Sequence, residues 1–480
     1  MKHLPNILYT NFRISLCLFL LLATFALRCH NTGNKTLKHT SAEHPSIKNN
    51  SYKYPITAAM IQAAKNGNLS LLNDVLEKLS EGKEVDSVQK GKALLEASEF
   101  GSLAIVTALL ERDANVNTSN YRQDTALHLA VKYKHLTVVI QLIVAGANVN
   151  AHNEDREIPL HWAAHSIYND KIVAQLIAAK ANVNARSKYG TTPLHRAAQY
   201  GGNEVIAQLI ASGANVNVHN KNQETPLHWA AENGHAEVIA QLIAAGAHAN
   251  VQDDTGRTPL HTAVNFKQTK AVAQLIAAGA DLNVHDKEGE TPLHCATMDF
   301  DVSTEIVAQL IAAKADLNAR DKDGKTPLYN AIDIGRGKVI TQLIAAGADV
   351  NVHNKDQETP LHWAIINGRD KMVLEGTIID ENGTRIIGGL SKHEEEGETT
   401  LHFPFGAEHN EIVAQLIAAG ADLNVKNKRG NTALHLAVEN EDKKAIELLI
   451  KHRARKDVTN KNGKKPLDLA KAEIIRNLLQ

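Results

Sequence analysis

The side chains here with the most capacity for chemistry are histidines. The sequence carries 24, and nine recur at one place of a repeated tetrapeptide: His128, His161, His195, His228, His261, His294, His362, His402 and His435. Imidazole is a common metal ligand, so such a series raises the question of a zinc site. Spacing answers it. If each tetrapeptide opens one packed helical unit, neighbouring histidines stand ~10 Å apart. Zinc–nitrogen bonds are ~2 Å, so one histidine per unit cannot converge on one ion. A second set, His152, His219, His285 and His353, falls in turns two units apart and fails the same test. Hydrogen bonding within the unit is left for the first set, and a solvated turn or a partner contact for the second.

Other apparent chemistry dissolves in the same way. Gly324-Lys325-Thr326 ends like a phosphate-binding loop, but Ala319 stands where the leading glycine is required. Asp321 and Asp323 imitate the start of a calcium loop without its closing glutamate. His402-Phe403-Pro404-Phe405-Gly406 resembles the opening of the active-site motif of Fic-type AMP-transferases, yet the following glycines and arginine are missing. No Ser-His-Asp or Cys-His set has a scaffold of its own. The reading is of a protein that is not an enzyme and uses no metal or cofactor; the alternative, an enzyme, has room for a site only at 373–410.

Composition narrows the class further. The 480 residues are 43% hydrophobic, with 52 basic against 53 acidic side chains and a net charge of -1. That balance gives no electrostatic case for nucleic-acid binding, and the apolar content excludes a disordered chain. Of the three cysteines, Cys17 and Cys29 lie at the start and only Cys295 in the body, so no disulfide framework forms there.

The start reads as an address. Lys2, His3 and Arg13 precede an apolar run from Ile14 to Leu27, too short for a ~30 Å bilayer core, which needs about 20 helical residues. A basic start and a short apolar core make a secretory leader of residues 1–29. Cys29, directly after the run, resembles the acylated cysteine of bacterial lipoproteins, although that family prefers a small residue where Arg28 stands. Acylation at Cys29, soluble secretion and an uncleaved anchor all fit; membrane contact is expected only through this N-terminus. Residues 30–54 are polar and aperiodic, as a tether would be.

From residue 55 to 480 the chain is one motif repeated. Thr-Pro-Leu-His or a variant starts at Thr125, Ile158, Thr192, Thr225, Thr258, Thr291, Thr326, Thr359, Thr399, Thr432 and Lys465, mostly 33 residues apart. Weaker units start at Ala58 and Lys92, which makes thirteen. In the unit Asn220 to Gly246, Thr225 suits a helix N-cap, Pro226 the first turn and Gly234 the stop of a first helix. A second helix runs to Gly246. No such unit has a core of its own, so apolar faces are buried by stacking. These residues identify the resemblance: the chain is similar to ankyrin-repeat proteins. It implies an all-α repeat solenoid of stacked helix-turn-helix units with β-turn fingers, binding another protein along a concave face. The leader with so uniform an array is similar to exported ankyrin proteins of host-associated bacteria, which implies a host protein as the partner; a scaffold or inhibitor of a periplasmic enzyme is the alternative. The array itself reads as monomeric.

Positions that vary between units carry the individual information. The residue after the tetrapeptide and the one four later share a helix face. They supply Tyr133, Trp162, Tyr200, Trp229, Phe266 and Trp363 as candidate partner-binding residues, since large aromatics are the usual interface anchors. Packing of the tryptophans against the neighbouring unit is the competing reading. The array is interrupted once, at about 370–398, where aliphatic runs flanking Asn382-Gly383 suggest a hairpin. Pro404 then falls in the expected first helix of the Thr399 unit. A bend or weak joint is expected at 370–405, from a functional insertion or a decayed unit.

Overall fold

Thr225 shows why each unit begins where it does. Its backbone is extended, with φ -99° and ψ 167°, and Pro226 opens the helix Pro226–Glu232, where a missing N–H removes no bond. Gly234, at φ +75°, ends it. The helix Ala236–Ala244 follows and returns antiparallel. Leu227, Ala230 and Ala231 from the first helix and Val238, Ile239 and Leu242 from the second are buried. Each large aliphatic buried in this way contributes about 1.5–3 kcal/mol, and the alanines let neighbouring pairs close up.

The computed structural model describes residues 55–77, 87–298, 304–374, 378–379, 385–386 and 408–480. The expected leader, Cys29 and the tether lie outside them, as do His402, Pro404 and the Thr399 start. Among the described residues are twelve helix pairs, from Pro55–Lys65 with Leu69–Glu77 to Pro466–Leu469 with Glu473–Leu479. First helices pack on first helices and second on second, and one hydrophobic cluster runs from Met60 to Leu479. The fold is an all-α repeat solenoid. No helix among the described residues is long and apolar enough to cross a membrane.

Two ladders of polar contacts run beside this core. At the turn fingers, the Lys221 N–H donates to Tyr189 O (3.0 Å), Asp254 N–H to Asn222 O (2.9 Å) and Lys287 N–H to Thr255 O (2.9 Å). Asn220 Oδ1 closes its own finger by accepting from the backbone of Asn222 and Glu224. Gly256, at φ +82°, faces the next finger so closely that a Cβ would stand 2.8 Å from Lys287 N. Between second helices and fingers an asparagine side chain reaches one unit on: Asn184 Oδ1 accepts from Asn215 N–H and Asn217 Oδ1 from His248 N–H.

The interruption differs from expectation. The first helix of the Thr359 unit, Pro360–Leu374, is paired with the helix Glu408–Ala418. The Thr432 unit then stacks directly on the Thr359 unit. Nε2–H of His362 donates to Asn431 O across 69 residues, where His228 reaches Arg257 across 29. Asp422 N–H meets Asn351 Oδ1 across 71 residues, where His248 and Asn217 are 31 apart. Both spans are longer by the same 40 residues. The finger ladder continues too, with Lys428 N–H donating to Asp356 O at 2.9 Å. The Thr359 unit thus carries 40 residues more than a regular one while its neighbours stack on it directly; most of 370–405, where a bend or weak joint is expected, lies outside the described residues. Thirteen starts become twelve units because Glu408–Ala418 belongs to the Thr359 unit. Ile378–Ile379 pairs antiparallel with Arg385–Ile386, on the two sides of Asn382-Gly383 where the hairpin was expected.

Candidate protein-binding face

The histidine series comes first because it fixes the helices that carry the face. In the Thr225 unit the Thr225 backbone N–H donates to Nδ1 of His228 at 3.1 Å, with the Thr225 hydroxyl 2.9 Å from the same atom. Nδ1 is thus an acceptor, so the ring is neutral with its hydrogen on Nε2, which donates to Arg257 O of the next unit at 3.1 Å. His128, His161, His195, His261, His294, His362 and His435 repeat the contact to the following unit. Burial lowers their pKa values, to about 4 for His161, His261 and His362 and about 3 for His195. Tyr329 takes the place in the Thr326 unit: its hydroxyl reaches the carbonyls of Val352 and Glu358, while the Thr326 hydroxyl is left without a partner.

The residue after each histidine lies between units. Trp162 sets its ring edge against His128, centroids 5.7 Å apart, and gives its N–H to Glu157 at 2.8 Å. Glu157 also binds Arg196 at 2.8 Å, and Arg196 lies 5.8 Å from the ring of Trp229. The Arg196 guanidinium and these hydrogen bonds outweigh burial and hold the Glu157 carboxyl below the usual carboxylate range. Trp229 repeats the pattern against His195 and Glu224. Trp363 donates to Asp333 and receives Lys325 Nζ 4.0 Å above its ring. All three indoles are half-buried, packed against the preceding unit, with a cation over each ring: Lys132, Arg196 and Lys325.

The second row, at the end of the first helix, is more open. Tyr133 is 42% exposed and Tyr200 37%; Phe266 is half-buried. Burial together with the Glu99 carboxylate pushes the Tyr133 hydroxyl up to about 12. Two members of this row escape sequence reasoning. Phe100, 53% exposed, is the equivalent of Tyr133 one unit earlier, masked in the sequence because the Lys92 unit lacks the tetrapeptide. Ile167 and Tyr168, 45% and 77% exposed, replace the expected Ser166 because the Ile158 unit is one residue longer and its first helix stops at Ala163. The 34-residue interval was the available signal.

Helix pairs joined by hydrogen-bonded fingers, with one continuous core and varied side chains on one edge, define a stacked repeat protein. The family model described as ankyrin repeats (3 copies) matches residues 60–153, 127–220, 160–253, 200–286, 227–321, 260–354, 300–375, 334–427 and 401–480. The chain belongs to the ankyrin-repeat family. A search among curated proteins finds no match. Ankyrin repeats generally mediate protein–protein interaction, and proteins built from them are typically scaffolds rather than enzymes.

Proposed function

We propose that this chain is an exported scaffold that captures a protein partner along the concave face formed by its first helices and fingers, with Cys29 as the acylated attachment to a membrane. One observation carries the binding reading. The same place on nearly identical units holds Phe100, Tyr133, Ile167 and Tyr200, large and more than a third exposed, although other units stack with Asn233 or Asn367 there. Tyr133, Tyr200 and Phe266 are the contact residues of this reading. Trp162, Trp229 and Trp363, half-buried beside them, are secondary contact residues of this reading. The leader and Cys29 support export, and the likeness to exported arrays of host-associated bacteria makes a host protein the first partner to seek.

A photo-crosslinking amino acid in place of Tyr200, in the full-length protein, tests the binding reading. Adducts with one defined protein, absent when the crosslinker replaces Lys338 on a second helix, are expected; equal adduct patterns from both positions overturn it. Intact mass and membrane partition of the full chain and a Cys29→Ser variant test the anchor. A diacyl or triacyl mass beginning at Cys29, lost in the variant, is expected, and an unacylated soluble product removes the lipoprotein part.

A further inference from the structure

We infer, resting on the scaffold reading above, that the strip Phe100, Tyr133, Ile167, Tyr168 and Tyr200 docks an acidic protein segment bearing large apolar side chains, with Lys132 and Lys134 pairing with its carboxylates. The strip is continuous by contact. Glu99 acts on Tyr133 across one unit boundary, Lys134 Nζ lies 5.7 Å from the Tyr168 ring across the next, and the His165 and Tyr200 rings are 4.1 Å apart across the third. It is also localised. Of the fourteen exposed large apolar side chains among the described residues, eleven lie between Val88 and Tyr200, five of them on the strip, whereas a neutral surface would scatter them along the array.

The charge on the strip selects the partner. Lys132 and Lys134 are exposed, and no ion pair engages either among the described residues. Their ammonium groups rest instead on ring faces: Lys132 is 5.3 Å from the Tyr133 centroid and 5.2 Å from that of Trp162. A partner that covers these rings must cover or border two ammonium ions. A neutral apolar segment would strip their water without replacement, which is costly, whereas carboxylates on the partner offset that cost. The first-helix place of Lys132 is taken in other units by Glu99, Gln199, Glu232 and Asn265, whereas that of Lys134 is a lysine again at Lys267, so the pair of cations together marks this unit. Glu96 and Glu99 beside Phe100 make the strip mixed rather than uniformly basic, which disfavours a phosphate polymer. Units step ~10 Å. Residues three apart in an extended segment or seven apart in a helix advance by about that distance.

A phage library of random 16-residue peptides, selected on the immobilised full chain, tests this, with the best peptide synthesised and titrated by fluorescence anisotropy. Expected is enrichment of sequences that combine Asp or Glu with large apolar residues three or seven apart. The expected Kd rises about 30-fold or more in a Lys132→Glu, Lys134→Glu double variant and in Tyr200→Ala. It stays unchanged in a Lys270→Glu, Lys338→Glu control and returns with arginine at 132 and 134. Circular dichroism verifies that each variant is folded. Enrichment of basic or uncharged sequences, no enrichment, or a peptide indifferent to the double variant overturns the inference. So does binding to phosphatidylglycerol vesicles that alone depends on Lys132 and Lys134, because it would assign the strip to a membrane. A crosslinked partner joined at Tyr200 through a segment without carboxylates would sink this inference while leaving the scaffold reading intact.

Discussion

A histidine that accepts through one ring nitrogen and donates through the other is useful at a helix start because it closes two gaps at once. His228 satisfies the Thr225 N–H, which no helical carbonyl can reach, and a carbonyl of the next unit. Removing the ring leaves both groups buried and unpaired. His228→Ala is accordingly expected to cost about 2–4 kcal/mol, read from the midpoint of urea unfolding at an unchanged slope. A change within about 0.5 kcal/mol, the level of a surface substitution, would contradict this account of the turn. Tyr329 indicates which half matters to stacking: it retains contact with the following unit and gives up the threonine. The tryptophans divide the same way. Trp229→Phe keeps the ring against His195 but loses the bond to Glu224, and about 1 kcal/mol of stability should go with it.

At the scale of the element, the 40-residue segment is the informative feature. Gly368 and His409 are apposed, so that a Cβ on Gly368 would fall 2.2 Å from the His409 ring, and His409 fills the place that His235 holds before its own second helix. Joining them by deleting residues 369–408 should leave every ladder bond in place. Closing a loop ten times longer than an ordinary connection costs about 2 kcal/mol, so the shortened protein is expected to melt at the same temperature or a few degrees higher. A fall in melting temperature, or loss of cooperative unfolding, would mean that the segment supports the stack. Helix positions elsewhere were legible because Thr-Pro-Leu-His carries its own start signal. The ownership of Glu408–Ala418 was not, since Thr399-Thr400-Leu401-His402 mimics a unit start, and what decides against it is the stacking of Asn431 on His362 and of Asp422 on Asn351. Exposure of Phe100 and Tyr168 was likewise hidden, because it depends on which residue closes the preceding turn.

For the whole array, identical buried groups add along the stack, and acid is where the sum becomes visible. Stability of a repeat protein is close to a sum over units and their interfaces, so each buried histidine contributes in series. In the folded chain burial holds His161, His261 and His362 near 4 and His195 near 3; an unfolded histidine titrates near ~6.5. Between those values the unfolded chain binds more protons, so stability falls as pH falls from about 6.5 to 4. Each pKa unit is worth ~1.4 kcal/mol per group, so four such groups together are of the same order as a usual stability of about 5–15 kcal/mol. Glu290 works in the opposite direction, since burial beside Asp286 raises its pKa to about 7, and burial raises Glu96 and Glu358 likewise, but these three are outnumbered by the buried histidines. Helical circular dichroism should therefore collapse between pH 6 and 4, and at higher pH in a protein already weakened by His228→Ala. Full helicity retained at pH 4 would require these rings to be far more open than their burial in this structure, and would break the link between the histidine series and the stack.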